Sequence, residues 1–235
     1  MLVSPLDLLT KRAAFWAGAR ARPPEWRDLL PLVGFIILGC GVYGAVLAGW
    51  RSPRLALYGA IKLPALFIAT TAIVALFNWM LATITGAGLS FRSTLFVVFS
   101  AMTMAAWILL SLAPVAALFV ATGVRESGTP EDMHFAHNCM LVTHIAILAV
   151  AGVTGNAALW GGLREMAAAR RPTTGLFFAW VGTFAFVGCQ MGWILRPFVG
   201  SPFYPVEFLR PDFLDRNFYE FVFGEVLPYI FKGGR

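Results

Sequence analysis

Five long apolar runs, separated by short polar connectors, set the pattern of this chain. They extend from about Leu29 to Trp50, Leu55 to Ile84, Thr94 to Ala121, His134 to Trp160 and Thr173 to Val199. A helix needs roughly 20 apolar residues to cross the hydrocarbon core of a bilayer, and each run meets that length. The pattern predicts an all-α, polytopic membrane helix bundle with five transmembrane helices. Breakers lie between the runs: Pro53 in WRSPR, the turn Gly86, Gly88 and Ser90, the acidic connector TGVRESGTPEDM and the basic connector REMAAARRP.

Both ends read as amphipathic interfacial segments. In residues 4–17, Ser4 suits a helix cap, Pro5 its first position, and Asp7 follows three after the cap. Leu8, Leu9, Arg12, Phe15 and Trp16 then form an apolar face edged with charge, which predicts a short helix lying on the membrane surface. Pro23 and Pro24 end it, and no cleavable signal peptide is evident in residues 1–28. From Phe213 to Phe231 the tail is rich in Phe and Tyr, yet Asp215, Glu220 and Glu225 make it too charged to span. It reads as an interfacial helix or a docking segment, with aromatics at headgroup depth. Three parts follow: an N-terminal segment 1–28, a five-helix membrane domain 29–199 and an aromatic tail 200–235.

Composition narrows the picture. Of 235 residues 59% are hydrophobic and 13% charged, where a soluble domain is closer to half apolar. Five spans and their connectors use the whole length, leaving room for one membrane domain. The net charge of +6 comes from Lys and Arg beside the apolar runs rather than on a soluble face, which argues against a nucleic-acid partner. With the N-terminus inside, Lys11, Arg12, Arg20, Arg22, Arg27, Arg92, Arg164, Arg170 and Arg171 gather on one side, against Arg51, Arg54 and Arg125 in the opposite connectors. The expected placement is a bacterial inner membrane, N-terminus cytoplasmic and C-terminus extracytoplasmic. All 12 Asp and Glu fall outside the apolar runs, which implies that the protein moves no protons. Cys40, Cys139 and Cys189 form no CxxC pair and read as small apolar residues.

Polar side chains inside the runs are few, and the topology gathers them toward the outer face. At 1.5 Å per residue, Lys62, His144 and Gln190 lie roughly 10 to 15 Å below the outer boundary, with Arg196 near it. Asn78, Ser100, Thr103 and Asn156 are left in the other half. A lysine at that depth requires a partner. With no carboxylate in the runs, the candidates are carbonyls freed by Pro64 or Pro114, Gln190, water or a lipid phosphate. In GCQMGWILRPFVGSP, Gln190, Trp193 and Arg196 rise on one helical face, and Pro197 stops the helix with a guanidinium at headgroup height. Lys62, Gln190, Trp193 and Arg196 are therefore the candidate ligand- or lipid-binding set.

His137 and His144, seven residues apart, share a helical face and are the candidate cofactor ligands, for haem b or quinone. One helix face does not supply both axial ligands of a haem, and His134 with His137 are too few for a closed metal site. No metal site is expected, and polar helix packing explains the histidines as well. Gly34, Gly39, Gly41, Gly44, Gly49, Ala151, Gly152 and Gly155 predict close helix contacts.

The pair Lys62 and Pro64 entering the second span, after a basic N-terminus, resembles the Yip1-like membrane proteins. The stretches HNCMLVTHIAILAVAGVTGN and CQMGWILRPFVGSP are similar to patterns in bacterial inner-membrane proteins of unassigned role. The likeness covers residues 50–200, and the aromatic tail departs from the Yip1-like pattern. It implies a non-enzymatic membrane role and supplies no catalytic residues. No general base and nucleophile pair is legible either. The expected function is that of an accessory or scaffold subunit, contacting membrane lipids and other integral membrane subunits or itself. The alternatives are a redox anchor at His137, His144 and Lys62, and a small anion permease with an outward cavity at Lys62, Gln190 and Arg196.

Overall fold

The computed structural model describes residues 4–123, 130–167, 173–200 and 205–231. The middle of the acidic connector (124–129), the end of the basic connector with Arg170 and Arg171 (168–172), residues 201–204 and residues 232–235 lie outside the described residues. Helices α1 (Pro5–Thr10) and α2 (Arg12–Ala21) precede the five long helices α3 (Trp26–Gly49), α4 (Pro53–Ile84), α5 (Phe91–Gly123), α6 (Pro130–Met166) and α7 (Thr173–Ile194). The tail carries α8 (Phe218–Phe221), a π-helical turn (Val222–Val226) and α9 (Leu227–Phe231). Each long helix contains a stretch apolar enough to cross a membrane, so the chain is an integral membrane protein of the polytopic helical kind. The helices start within a few residues of the expected bounds. α6 runs on to Met166, and α7 stops at Ile194, ahead of Pro197.

Local chemistry sets these boundaries. Glu25 and Asp28 form a reciprocal capping box at the start of α3. Ser52 caps α4, its Oγ accepting from the Leu55 N–H at 3.1 Å, with Pro53 at the first position. The α4–α5 turn needs left-handed backbone at Gly86 (φ 67°) and Gly88 (φ 72°), which glycine adopts without a Cβ penalty.

The long helices pack in the order α6, α5, α3, α4, α7, with α4 also touching α5 and α7 also touching α6, where the Trp160 and Phe177 rings meet at 5.1 Å. Apolar burial drives little association among lipid tails, so close backbone approach carries the packing. A Cβ on Gly44 would fall 2.8 Å from the Gly59 carbonyl carbon, and one on Gly39 would fall 2.8 Å from the Ala106 oxygen. Gly155 sits 3.3 Å from the Ala101 oxygen on the same measure. The expected close contacts therefore occur at Gly39, Gly44 and Gly155, whereas Gly34 and Gly152 face open space. α7 differs from the rest: 6% of its apolar stretch is buried, against 28–39% in the other four.

Trp26, Trp79 and Phe91 cluster at one end of the bundle, with the Arg92 guanidinium over Trp26 at 5.5 Å. This end, which also carries Arg27 and Arg164, is called the basic end below; aromatics and cations of this kind mark a headgroup level. α3 leaves it, and α7 finishes at the opposite, far end.

The N-terminal segment differs from the single surface helix expected over 4–17. It is two helices, and Leu8, Phe15 and Trp16 are buried against the bundle. The Pro5 carbonyl accepts from Trp107 Nε1 at 3.1 Å. Trp107 is 16 residues beyond Phe91 (107 − 91), roughly 24 Å along α5. α1 thus reaches about mid-height, and α2 runs back to the basic end along α6. Two adjacent glycines make the landing. A Cβ on Gly162 would lie 2.6 Å from the Trp16 ring, and one on Gly161 would lie 3.2 Å from Arg12 Cζ. Arg12 donates to the Ala157 carbonyl at 2.9 Å, Arg20 pairs with Glu165, and Phe15 stacks on Phe96 at 5.3 Å. Ring packing and hydrogen bonds on a flat helix face hold the segment in the bundle, where a surface helix would have only lipid contacts.

Candidate functional site

The far-end set converges, and it does so on the chain's own tail. Lys62 on α4 is 1% exposed; its ammonium donates to the Pro197 carbonyl at 2.9 Å and lies 5.1 Å over the Phe208 ring. Neither Pro64 nor Pro114 supplies that acceptor: it comes from the segment after α7, where the helix has ended and a carbonyl is free. Arg196 donates to the Asp212 carboxylate at 3.0 Å and covers the Trp193 ring at 3.6 Å. Trp193 Nε1 donates to the Arg216 carbonyl at 2.6 Å, and Gln190 Oε1 accepts from the Phe218 N–H at 3.0 Å. One turn back on α7, Phe186 stacks on Tyr219 at 4.7 Å, and the Tyr219 hydroxyl donates to the Phe186 carbonyl at 2.6 Å. Asn217 and Glu220 cap α8 reciprocally, which fixes the tail helix where Gln190 meets it. The four predicted residues thus clamp Pro197, Phe208, Asp212, Arg216 and Phe218 to α4 and α7.

The histidines pack separately. His144 on α6 is 3% exposed, and its Nδ1 lies 2.8 Å from the Tyr43 hydroxyl of α3, itself fully buried. His137 meets the Trp50 ring at 5.2 Å. Both rings are turned toward the α3 side of α6, one at each of two levels. The Tyr43 hydroxyl occupies Nδ1, so Nε2 is the nitrogen left for any ligand of His144. Tyr43→Phe removes one partner of a buried pair and leaves the other unsatisfied. It is expected to lower stability by about 1 kcal/mol, while Tyr43→Phe with His144→Leu loses less than the sum of the two single changes. Unfolding of the four proteins in detergent measures the coupling, and strict additivity would show that the hydrogen bond contributes nothing.

A polar pair also joins α4 to α7. Asn78, fully buried, lies 2.6 Å from the Thr183 hydroxyl, which is 2.8 Å from the Trp180 carbonyl. One hydroxyl proton does not serve both acceptors. With the amide turned over, Asn78 donates to Thr183 and Thr183 to the carbonyl, which satisfies both contacts.

The residues that linear reading missed line a cleft at the basic end, about 360 Å³ in volume, between α1–α2 and the start of α3. Its charged groups are Asp7, Lys11, Arg22 and Asp28, and Phe15 and Phe96 form its apolar wall. At the rim, Arg22 donates to both Asp28 oxygens at 2.7 and 2.8 Å and pairs with Glu25 at 3.0 Å. The hydrogen bond and charge of Asp28 push the Arg22 pKa up from its ordinary value, so the guanidinium stays charged. Further from the basic end, Lys11 and Asp7 stand 4.0 Å apart. Ser4 and Pro5, read as a cap, do start α1, with Ser4 Oγ accepting from the Leu6 N–H at 3.3 Å. The adjacent Gly161 and Gly162 were the sequence signal that α6 has a docking face.

No family model, curated protein or solved structure matches this chain. Its chemistry is therefore read from its own geometry. The far-end cluster holds a tail in place. The histidine, tyrosine and asparagine pairs join spans. Among the described residues, no group of three or more His, Cys, Asp or Glu is placed to hold a metal ion. The basic-end cleft is a charged concavity open to an outside molecule.

Proposed function

We propose that this integral membrane protein is a non-catalytic accessory or scaffold subunit of a bacterial inner-membrane complex. Its partner, another integral membrane subunit, seats on α7 and on the tail clamped to it. The observation that carries this reading is the thin cover over α7. It packs on α4 and touches α6, has 6% of its apolar stretch buried, and yet anchors the tail through Gln190, Trp193 and Arg196. A thinly covered helix that bears the tail presents a defined surface to a partner. Phe178 and Phe186 on α7, and Phe223, Tyr229 and Phe231 on the tail, are exposed. The inward-facing chemistry fits a supporting role, since Lys62, Gln190, Trp193, Arg196 and His144 are all engaged within the chain. The Yip1-like resemblance of residues 50–200 agrees with it. Arg20, Arg22, Arg27, Arg92 and Arg164 at the basic end favour a cytoplasmic N-terminus and an extracytoplasmic tail.

A photo-crosslinking amino acid at Phe178 or Phe186, in native membranes, is expected to give one discrete protein adduct of the same mass from both sites. The same probe at Leu57, exposed on α4, is expected to give none. Lipid adducts alone at all three positions would remove the partner surface from α7.

A further inference from the structure

The basic-end cleft contains one closed ion pair and one open ion pair, and they lie at different levels. Arg22 and Asp28, at the rim, are joined by two short hydrogen bonds, and the Asp28 side chain is 5% exposed. Asp7 and Lys11 lie further from the basic end and are more exposed than Asp28. Pro5 is tied to Trp107, roughly 24 Å from the basic end of α5. Arg12 is tied to Ala157, nine residues before Met166 (166 − 157) and so roughly 13 Å from the basic end of α6. Asp7 and Lys11 fall between those levels, alongside the apolar helices α5 and α6. Charged side chains beside such helices pair with one another or face a polar cavity. Here the pairing is incomplete: the two stand at 4.0 Å, with side chains 40% and 71% exposed, and both line the cleft. Ala14 and Gly18 leave the space between the two pairs clear, and a Cβ on Gly18 would meet nothing within 4 Å.

We propose that this cleft binds a zwitterion of the ethanolamine phosphate class, its phosphate on Lys11 and its ammonium on Asp7. An ammonium with N–H donors next to an anion matches a carboxylate next to a lysine in antiparallel fashion. Each charge of the ligand then receives a charge-assisted hydrogen bond. A choline group has no N–H to donate to Asp7. A headgroup with net negative charge leaves Asp7 unpaired and repels it. The stacked Phe15 and Phe96 wall takes the apolar part that follows the phosphate. Two sources share this chemistry, a phosphatidylethanolamine molecule entering from the leaflet and a soluble phosphoethanolamine entering from the water.

Full-length protein in mild detergent, offered equal amounts of phosphatidylethanolamine, phosphatidylcholine and phosphatidylglycerol, is expected to retain the first about tenfold better by native mass spectrometry. Asp7→Asn and Lys11→Met each reduce that preference. Gly18→Leu adds apolar bulk to the cleft wall, where a Cβ meets nothing within 4 Å, so it lowers the preference at an undiminished melting temperature. Free O-phosphoethanolamine that displaces the lipid identifies a site open to the soluble compound, and failure to displace identifies the lipid as the occupant. Equal retention of the three lipids by the unaltered protein overturns the proposal. So does an ethanolamine preference that survives both Asp7→Asn and Gly18→Leu, which would place it elsewhere on the molecule.

Discussion

Gly44→Leu is expected to destabilise the bundle by about 3 kcal/mol, the top of the range for overpacking. The reason is the contact it would meet. At the α3–α4 crossing Gly44 and Gly59 face each other, and a Cβ on either falls within the van der Waals shell of the other's carbonyl group. A flexible side chain could turn aside, but a helical carbonyl moves only if the whole helix moves. α3 also packs on α5, and α4 on α5 and α7, so displacing one from the other disturbs those helices as well. Gly34→Leu is the control, because nothing lies within 4 Å of a Cβ there. It should change stability by less than about 0.5 kcal/mol. Unfolding curves in detergent for the two variants decide the matter, and similar midpoints would show that the α3–α4 crossing is loose.

Lys62→Ala is expected to lose about 3 kcal/mol, and Lys62→Met to stay within about 1 kcal/mol of the original. Lys62 is among the largest fully buried side chains of the protein. Alanine removes its four-carbon stem, leaving a cavity beneath Pro197 and Phe208 and an unpaired carbonyl. Methionine keeps most of the stem volume and removes a charge that is costly to desolvate, which offsets the lost hydrogen bond. Both variants lack the ammonium, so the comparison separates a packing role from a chemical one. The tail reports as well. With the Pro197 contact gone, limited proteolysis should cut within residues 205–217 sooner in Lys62→Ala than in Lys62→Met. Equal, large losses in both variants would mean that the charge itself holds the structure together.

The five spans were legible because their signal is local. Apolar length fixes a helix within hydrocarbon whatever surrounds it, and Ser52 with Pro53 or Gly86 with Gly88 marks the breaks by backbone preference alone. The gathering of Lys62, Gln190, Trp193 and Arg196 at one end of the bundle followed from counting residues along helices of alternating direction. The close approaches at Gly39, Gly44 and Gly155 were also visible as small residues in apolar runs. Which of the small residues would meet a neighbour was not: Gly34 and Gly152 have the same composition around them and face open space.

What the sequence by itself determined is the set of membrane-crossing helices and the height of each polar group along them, since both depend on rise per residue and on the solvent around a helix. Tertiary structure alone decided what meets those groups. Pro197 reaches Lys62 from 135 residues away, and the tail covers Gln190, Trp193 and Arg196. The N-terminal helices fold back onto Gly161 and Gly162 and bring Asp7 and Lys11 alongside the apolar helices, although every acidic residue lies outside the apolar runs. Contacts between distant segments depend on the shapes of two surfaces at once, and a one-dimensional pattern holds only one of them at a time.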